Sequence, residues 1–220
     1  MFLTTQKDFS IREFLPSDFQ SLFCIADKIN KQAHEKEGFQ PFYAFQGDIY
    51  SPTYTKELTE KTNKFLSRAL KEKEVSPRST HRLALCSTQG QLIGNVTIDV
   101  LPFQDETGKQ IHGDIGYFIN PDHGRQGLMS KAIEHVLNIY FQTHSQMDVT
   151  VHPNNLYSLK MMQRFNAKII GFKEDSCYQG EPRVVLKLTK QDYLNRPQPV
   201  LICQNKIISN KNQNQRMYHV

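Results

Sequence analysis

The sequence DIGYFINPDHGRQGLM, residues 114–129, decides the fold of this chain. It begins inside a strand predicted over 111–119, where the side chains alternate between two faces, and ends in a loop with two glycines. A strongly amphipathic helix starts directly after Gly127. A strand–loop–helix junction of this kind directs free backbone amides and the positive end of the helix dipole at one point. It therefore predicts a phosphate or pyrophosphate site. A glycine-rich turn without a ligand is the alternative interpretation.

The same loop excludes two nucleotide-binding motifs. A triphosphatase loop ends in Gly-Lys-Ser or Gly-Lys-Thr, whereas here Gly127 is followed by Leu128 and Met129. The dinucleotide pattern Gly-x-Gly-x-x-Gly does not occur either. Arg125 is placed to make a charge-assisted contact with phosphate, although a solvated loop arginine fits the sequence equally well.

Outward from this junction, the helix carries two adjacent apolar rows at four-residue steps: Leu128, Ala132, Val136 and Tyr140, then Met129, Ile133, Leu137 and Phe141. Further strands are predicted near 9–14, 82–86, 92–100, 147–151, 168–174 and 183–188, and further helices from Pro16, over 55–73 and from Asn155. The order β-α-α-β-β-β-α-β-α-β-β predicts an α/β fold of the mixed-sheet type. We expect one domain over residues 8–190.

Residues 191–220 are predicted to form a polar extension of this domain. Residues 199–208 are apolar enough to add one edge strand, and edge pairing there would serve a homodimer. Residues 209–216 contain no apolar side chain and are expected to be poorly ordered. The loops over 38–52, which is rich in aromatic residues, and 102–110 are the expected sites of acceptor recognition.

The composition excludes several classes of protein. Apolar runs are only a handful of residues long and the mean hydropathy is −0.55, so no membrane span is expected. The first residues lack a basic segment followed by an apolar one, which predicts a cytoplasmic protein. The four cysteines form no close pair, so we expect reduced thiols and no metal site. A net charge of +5 suits an anionic ligand and is weak evidence for nucleic acid.

Residues 114–132 resemble the central strand and acyl-CoA loop of the GNAT acetyltransferases. Residues 151–158 and 162–167 resemble that family's next strand and helix, and residues 92–96 its preceding hairpin strand. The similarity extends over most of 8–190 and is closest to the branch of ribosomal-protein alanine acetyltransferases. It implies acetyl-CoA as cosubstrate and a primary amine as acceptor, either a protein N-terminus or a small molecule. The loop departs from the family's pattern, since Met129 stands where glycine or alanine is usual.

The resemblance also implies the residues that would contact acetyl-CoA. Backbone amides of the loop and helix start would hold the pyrophosphate, the end of the strand would bind the pantetheine arm, and the next helix would flank it. The residues concerned are Gly124, Arg125, Gln126, Gly127, Leu128 and Met129, then Phe118 and Ile119, then Asn155 and Ser158. Asn155 follows Pro153, so a helix N-cap explains it as well as a ligand contact does.

Two catalytic residues are predicted with alternatives left open. Asp114 occupies the strand position where several family members carry a catalytic glutamate, and a structural hydrogen-bonding aspartate is the other interpretation. Many members carry a proton-donating tyrosine seven residues after the helix-starting asparagine, but that position is Met162. Tyr157 is the candidate substitute, and a packing tyrosine is its alternative.

Three functions remain open from the sequence alone. The first is an acetyl-CoA-dependent N-acetyltransferase in which the amine attacks the thioester directly. The second is a protein of the same fold that binds acyl-CoA as a sensor or interaction module without transfer. The third is a nucleic-acid-binding module, which predicts salt-dependent binding and no affinity for CoA.

Overall fold

The computed structural model describes residues 2–35, 48–75, 77–101, 103–104, 110–175 and 181–197. The strands are β1 (Thr4–Thr5), β2 (Ser10–Glu13), β3 (Thr80–Cys86), β4 (Leu92–Asp99), β5 (Phe103–Gln104), β6 (Gln110–Ile111), β7 (Asp114–Ile119), β8 (Gln146–Val151), β9 (Lys168–Asp175) and β10 (Glu181–Thr189). The helices are α1 (Phe19–Glu35), α2 (Tyr54–Glu72), α3 (Leu128–Thr143), α4 (Leu156–Arg164) and α5 (Lys190–Leu194). Short 3-10 turns cover Pro16–Asp18 and Pro121–His123.

The mixed α/β class predicted from the sequence is confirmed. Among the described residues the structure adds β1, β5 and α5, none of which the sequence pattern predicted. β5 pairs with β6, which contains Ile111, the first residue of the strand predicted over 111–119. The strand expected over 111–119 is divided at His112 and Gly113, because Gly113 adopts a φ of +138°. The predicted strand at 199–208 and most of both acceptor loops lie outside the described residues.

Two antiparallel sheets form the body of the described chain. The first has five strands in the order β1-β2-β3-β4-β7, and the second has three in the order β8-β10-β9. The short β5 and β6 pair separately. None of the described helices is long and apolar enough to cross a membrane.

The two apolar rows of α3 are buried as the sequence predicted, and they pack against strands of both sheets. The opposite face of the five-stranded sheet is covered by α1 and α2, which enclose Ala84, Cys86, Leu92 and Phe118. The start of α1 is fixed by the buried carboxylate of Asp18. It accepts a hydrogen bond from the Leu15 N–H at 2.8 Å and two from the Arg12 guanidinium, each at 2.7 Å. A bidentate interaction between a guanidinium and a carboxylate fixes the relative orientation of the two groups as well as their distance.

β7 and β8 belong to different sheets but start side by side. The Asp148 N–H donates to the Gly113 carbonyl at 3.2 Å, and the Tyr140 hydroxyl lies 2.7 Å and 2.9 Å from the carbonyl oxygens of His112 and Gln146. Past these contacts no described hydrogen bond joins the two strands. The pair is therefore held at its start and open at its carboxyl end, where α3 and α4 begin.

Gly113 is required at this junction. A Cβ there would lie 2.4 Å from the Tyr140 hydroxyl and 2.8 Å from the Asp99 carbonyl oxygen, and the positive φ disfavours any side chain. We expect Gly113→Ala to lower the free energy of unfolding by about 2 kcal/mol or more, as measured by urea unfolding. Gly116→Ala is the matched control, because its Cβ would meet only the Thr97 Cβ at 3.9 Å. Equal destabilisation by both variants would contradict this explanation.

Candidate active site

β7 is the last strand of its sheet, and its outer edge faces the opening between the sheets. The Asn120 N–H donates to the Ile93 carbonyl at 2.7 Å, and the register pairs Phe118 with Asn95. Because hydrogen bonding alternates along an antiparallel pair, Phe118 directs its backbone groups to β4, whereas Tyr117 and Ile119 direct theirs to the open edge. Of the two strand residues predicted to contact pantetheine, Ile119 therefore offers N–H and carbonyl groups to a ligand, and Phe118 does not.

The loop after β7 ends in a helix start with free donors. Gly127, with a φ of +73°, is the N-cap of α3 and makes no side-chain capping bond. Within the described chain, the backbone N–H groups from Arg125 to Met129 donate no hydrogen bond. The side chains of Leu128 and Met129 are buried, so only their backbone faces the loop. Arg125 and Gln126 are exposed beside it. Free N–H groups at the positive end of a 16-residue helix are suited to binding an anion.

Contacts in the first half of this loop, residues 120–124, hold it in place. The Asn120 side chain caps the 3-10 turn by accepting a hydrogen bond from the Asp122 N–H at 3.1 Å. Asp122 forms an ion pair with Lys28, which ties the turn to α1. The Gly124 N–H donates to the Pro121 carbonyl at 3.0 Å, and a Cβ at Gly124 would lie 3.1 Å from that same oxygen. Gly124 therefore shapes the turn, whereas its direct contact with a ligand stays a prediction.

α4 begins at the same open end, after β8. The Asn155 side chain accepts a hydrogen bond from the Ser158 N–H at 3.1 Å, so it is the N-cap of this helix, and a ligand contact by its amide stays a prediction. Tyr157 is 70% exposed on the first turn of α4. Met162 is fully buried in the core around α3. The position at which many relatives carry a tyrosine thus serves packing in this chain.

Asp114 lies on the α1–α2 face of β7, directly across from Asp99 on β4. Burial of the carboxyl group is the main cause that raises the pKa of Asp114 to about 8. The Ile115 N–H, which donates to this carboxylate at 2.7 Å, opposes the rise, and so does Lys173, whereas Asp99 and Asp148 add to it. A carboxyl group with a pKa near the working pH is suited to exchange a proton with an amine.

Tyr117 is the polar residue that the sequence pattern did not single out. Its alternation with Ile115 and Ile119 marked it only as part of an apolar face, and its ring does pack against the core around α3. Its hydroxyl oxygen, however, is buried without a hydrogen-bond partner among the described residues. The sequence did contain one indication of this residue: Tyr117 is the one phenol on an otherwise apolar strand face, next to the glycine loop.

These features meet in a strand with a free edge, a following helix with an uncapped amino end, and a neighbouring helix that starts beside them. The family described as "Acetyltransferase (GNAT) domain" matches residues 10–168, and the chain belongs to this family.

Similar proteins agree with this assignment. The Bacillus subtilis (strain 168) protein named "Probable N-acetyltransferase YjcK" is 26% identical over 162 residues, which cover 68% of this chain and 83% of that protein. The structure of Mycobacterium smegmatis RimJ in complex with a CoA disulfide has a TM-score of 0.61 at 13% identity, covering 86% of this chain and 85% of its own. RimL, a ribosomal L7/L12 α-N-protein acetyltransferase solved with coenzyme A, has a TM-score of 0.60 at 13% identity, covering 85% and 97%. At such identity the two structures establish the fold.

The chemistry of the donors fits the group that these neighbours bind. A pyrophosphate needs several convergent N–H donors and no nearby carboxylate side chain, and residues 125–129 carry no acidic side chain. Open space beside the Gly127 α-carbon leaves the backbone accessible, since a Cβ there would meet no atom within 4 Å. Among the described residues, no group of three or more histidine, cysteine or acidic side chains is arranged to hold a metal ion.

The loop assignment predicts the effect of a side chain at Gly127. We expect Gly127→Val to abolish detectable acetyl-CoA binding in calorimetry, because a branched side chain disfavours the positive φ and covers the N–H groups. Gly90→Val is the matched control. Gly90 also has a positive φ, +79°, and a Cβ there would likewise meet no atom within 4 Å, but it lies in the turn before β4. Tight binding by Gly127→Val, or equal loss in both variants, would refute the assignment.

The raised pKa of Asp114 predicts how stability changes with pH. The folded chain keeps this carboxyl protonated up to a pH of about 8, whereas in the unfolded chain its pKa is about 3.9. The associated stability is therefore fully present below about pH 4 and is lost as the pH rises towards 8. We expect Asp114→Asn to raise the melting temperature more at pH 9 than at pH 5, by several degrees.

Asp8→Asn is the control for this measurement, because Asp8 is exposed and pairs with Lys131. It should leave the pH dependence between 5 and 9 unchanged. An Asp114→Asn variant whose melting temperature differs from wild type by the same amount at both pH values would show that Asp114 titrates normally.

Proposed function

We propose that this protein transfers an acetyl group from acetyl-CoA to a primary amine. The observation that carries the proposal is the uncapped amino end of α3 beside the free edge of β7. Each of these two features has backbone N–H or carbonyl groups without hydrogen-bond partners in the described part of the chain. Together they offer donors and acceptors along the strand edge and donors at the helix start, which suits a ligand that has an anionic head and a hydrogen-bonding arm.

In this proposal the N–H groups of Gln126, Gly127, Leu128 and Met129 hold the pyrophosphate, and Arg125 adds charge from the exposed side of the loop. The edge groups of Ile119 and Tyr117 pair with the pantetheine arm as a further strand would. Asn155 and Ser158 flank that arm from α4. When bound, acetyl-CoA supplies an activated acyl group, and the edge of β7 supplies an N–H that can stabilise the oxyanion formed on attack.

Asp114 is the proposed general base. The amine nitrogen forms a bond to the acyl carbon, the carbon–sulfur bond breaks, and the proton that the nitrogen loses passes to the Asp114 carboxylate directly or through one water. The thiolate departs and takes a proton from solvent, so charge and protons balance. The carboxylate must be ionised in advance, and the pKa of about 8 places that ionisation in the range where the enzyme would work.

The acceptor that best fits this base is an α-amine. Its pKa of about 7.7–8.0 leaves a substantial neutral fraction near pH 7.5, whereas a lysine amine with a pKa of about 10.4 is almost fully protonated. A small amine such as a polyamine is the second acceptor class in this proposal. The partner of the protein is then a protein N-terminus or a small amine. We propose a cytoplasmic location, and a homodimer as its oligomeric state.

One observation favours a second function, binding of acyl-CoA without transfer. Met162 stands where many family members carry a proton-donating tyrosine, and it is fully buried. Tyr157, the substitute predicted from the sequence, is largely exposed, and its role in catalysis is still a proposal. A protein of this second kind would bind acetyl-CoA and leave it intact in the presence of amines.

Turnover measurements test the proposal directly. We expect acetyl-CoA at about one hundred times its Kd to stabilise the wild type by about 2.7 kcal/mol, visible as a rise in melting temperature. Acetyl-CoA consumption should then depend on an added amine, for which a peptide with an N-terminal alanine and spermidine are the two probes. Asp114→Asn should lower kcat about tenfold or more with unchanged acetyl-CoA affinity.

The outcomes separate the candidate functions. No thermal shift with a folded sample would overturn the cosubstrate assignment. A thermal shift without consumption of acetyl-CoA by either amine would support the sensor. An unchanged kcat in Asp114→Asn would remove Asp114 as the base while leaving the transferase reaction in place.

A further inference from the structure

The buried hydroxyl of Tyr117 is a polar group without a structural role. It has no hydrogen-bond partner among the described residues, although the hydroxyl oxygen is shielded from solvent. A buried hydroxyl that makes no hydrogen bond costs about 1–3 kcal/mol relative to one that does. Phenylalanine would fill the same apolar site around Ile115 and Ile119 without that cost. The stability of the folded chain therefore does not explain why this position carries a hydroxyl, and a contact with a ligand would.

The position of the Tyr117 hydroxyl suggests a functional role for it. Tyr117 leaves β7 on the α3 side and packs against the core around that helix. A weak interaction with the Ser158 side chain of α4, outside ordinary hydrogen-bond geometry, lowers its pKa. Burial has the larger, opposite effect and raises the pKa of Tyr117 to about 12, and the charge of Asp114 adds to the rise. The phenol is thus neutral throughout the working range and keeps its proton available for donation.

Tyr117 is carried by β7 and its hydroxyl interacts with Ser158 of α4, and these two elements flank the proposed pantetheine arm. We propose that this hydroxyl donates a hydrogen bond to the sulfur of the departing CoA thiolate, which makes Tyr117 a catalytic residue of this site. The inference rests on the transferase or CoA-binding function proposed above.

In this step Tyr117 keeps its proton. As the carbon–sulfur bond breaks, the electron pair of that bond moves onto sulfur, and the phenol O–H stabilises the resulting negative charge. The thiolate is later protonated by solvent, and the proton lost by the amine resides on Asp114. A hydrogen bond from a neutral donor to a charged acceptor in a site without water is stronger than one between neutral groups, so it favours the leaving thiolate over the bound thioester.

The first test does not need an acceptor amine. The pKa of the thiol of bound CoA is measured by the ultraviolet absorbance of the thiolate as a function of pH, with the complex of desulfo-CoA as blank. A hydrogen-bond donor at sulfur lowers this pKa, and removing it in Tyr117→Phe should raise the pKa by about one unit, a tenfold change in the ionisation constant. Identical thiol pKa values in both complexes would overturn the inference and leave the CoA site standing.

The second test compares two tyrosines. Tyr193→Phe is the matched control, because the Tyr193 hydroxyl is also buried but donates to Asn138 at 2.6 Å, on the part of α3 away from the loop. We expect Tyr117→Phe to keep or raise its melting temperature, to keep its CoA affinity within about threefold, and to lower kcat with the alanine peptide about tenfold or more. Tyr193→Phe should lose several degrees of melting temperature and keep kcat within about twofold.

The results distinguish this inference from the function on which it rests. A wild type that binds no CoA contradicts the proposed function and the inference together. A wild type that turns over, with a Tyr117→Phe variant of equal kcat, contradicts the inference alone. A Tyr117→Phe variant that loses melting temperature together with kcat would assign the hydroxyl a structural role and overturn the inference as well.

Discussion

The parting of β7 and β8 is the constraint on which the rest of the structure depends. The two strands are joined at their starts through Gly113 and Asp148, and the Tyr140 hydroxyl bridges the carbonyl groups just outside that bond. If pairing continued along both strands, the edge groups of Tyr117 and Ile119 would be consumed in a continuous sheet. An unpaired strand edge is normally a liability for aggregation. Here it faces the opening between the two sheets.

α3 maintains this separation and also supplies the N–H groups of the proposed anion site. Its two buried rows pack against both sheets at once, so the helix fixes how far they diverge. Because only the loop of residues 120–127 separates the helix from β7, its amino end falls at the open end of the strand pair. The core and the site therefore depend on the same element. A change in the packing of α3 would move the N–H groups of the loop relative to the edge of β7.

The sequence predicted those parts of the fold that depend on periodicity. The two rows of α3 and the loop before Gly127 follow from local spacing, and both are confirmed as structure. The break at Gly113 was not predicted, because the contacts that require a glycine there come from Tyr140 and Asp99, which are distant in sequence.

Long-range contacts likewise explain the other differences. α5 was missed because its five residues carry little periodicity, and it is held by Tyr193, which is buried against α3. The backbone groups of Phe118 do not face the free edge because of the register between β7 and β4, and this register cannot be deduced from the sequence. The site residues themselves were predicted from resemblance, and the orphaned hydroxyl of Tyr117 became evident only in the folded chain.

Asp114 and Tyr117 differ by an odd number of positions along β7, so their side chains project from opposite faces of the strand. Asp114 faces the side covered by α1 and α2, and Tyr117 faces α3 and α4. An amine that attacks a thioester held at the strand edge has to approach from one side, while the sulfur departs towards another. The base proposed at Asp114 and the sulfur-directed donor proposed at Tyr117 lie on opposite faces and match these two directions, so neither group obstructs the other. With Met162 committed to the core, the strand rather than α4 is then the element that carries both groups.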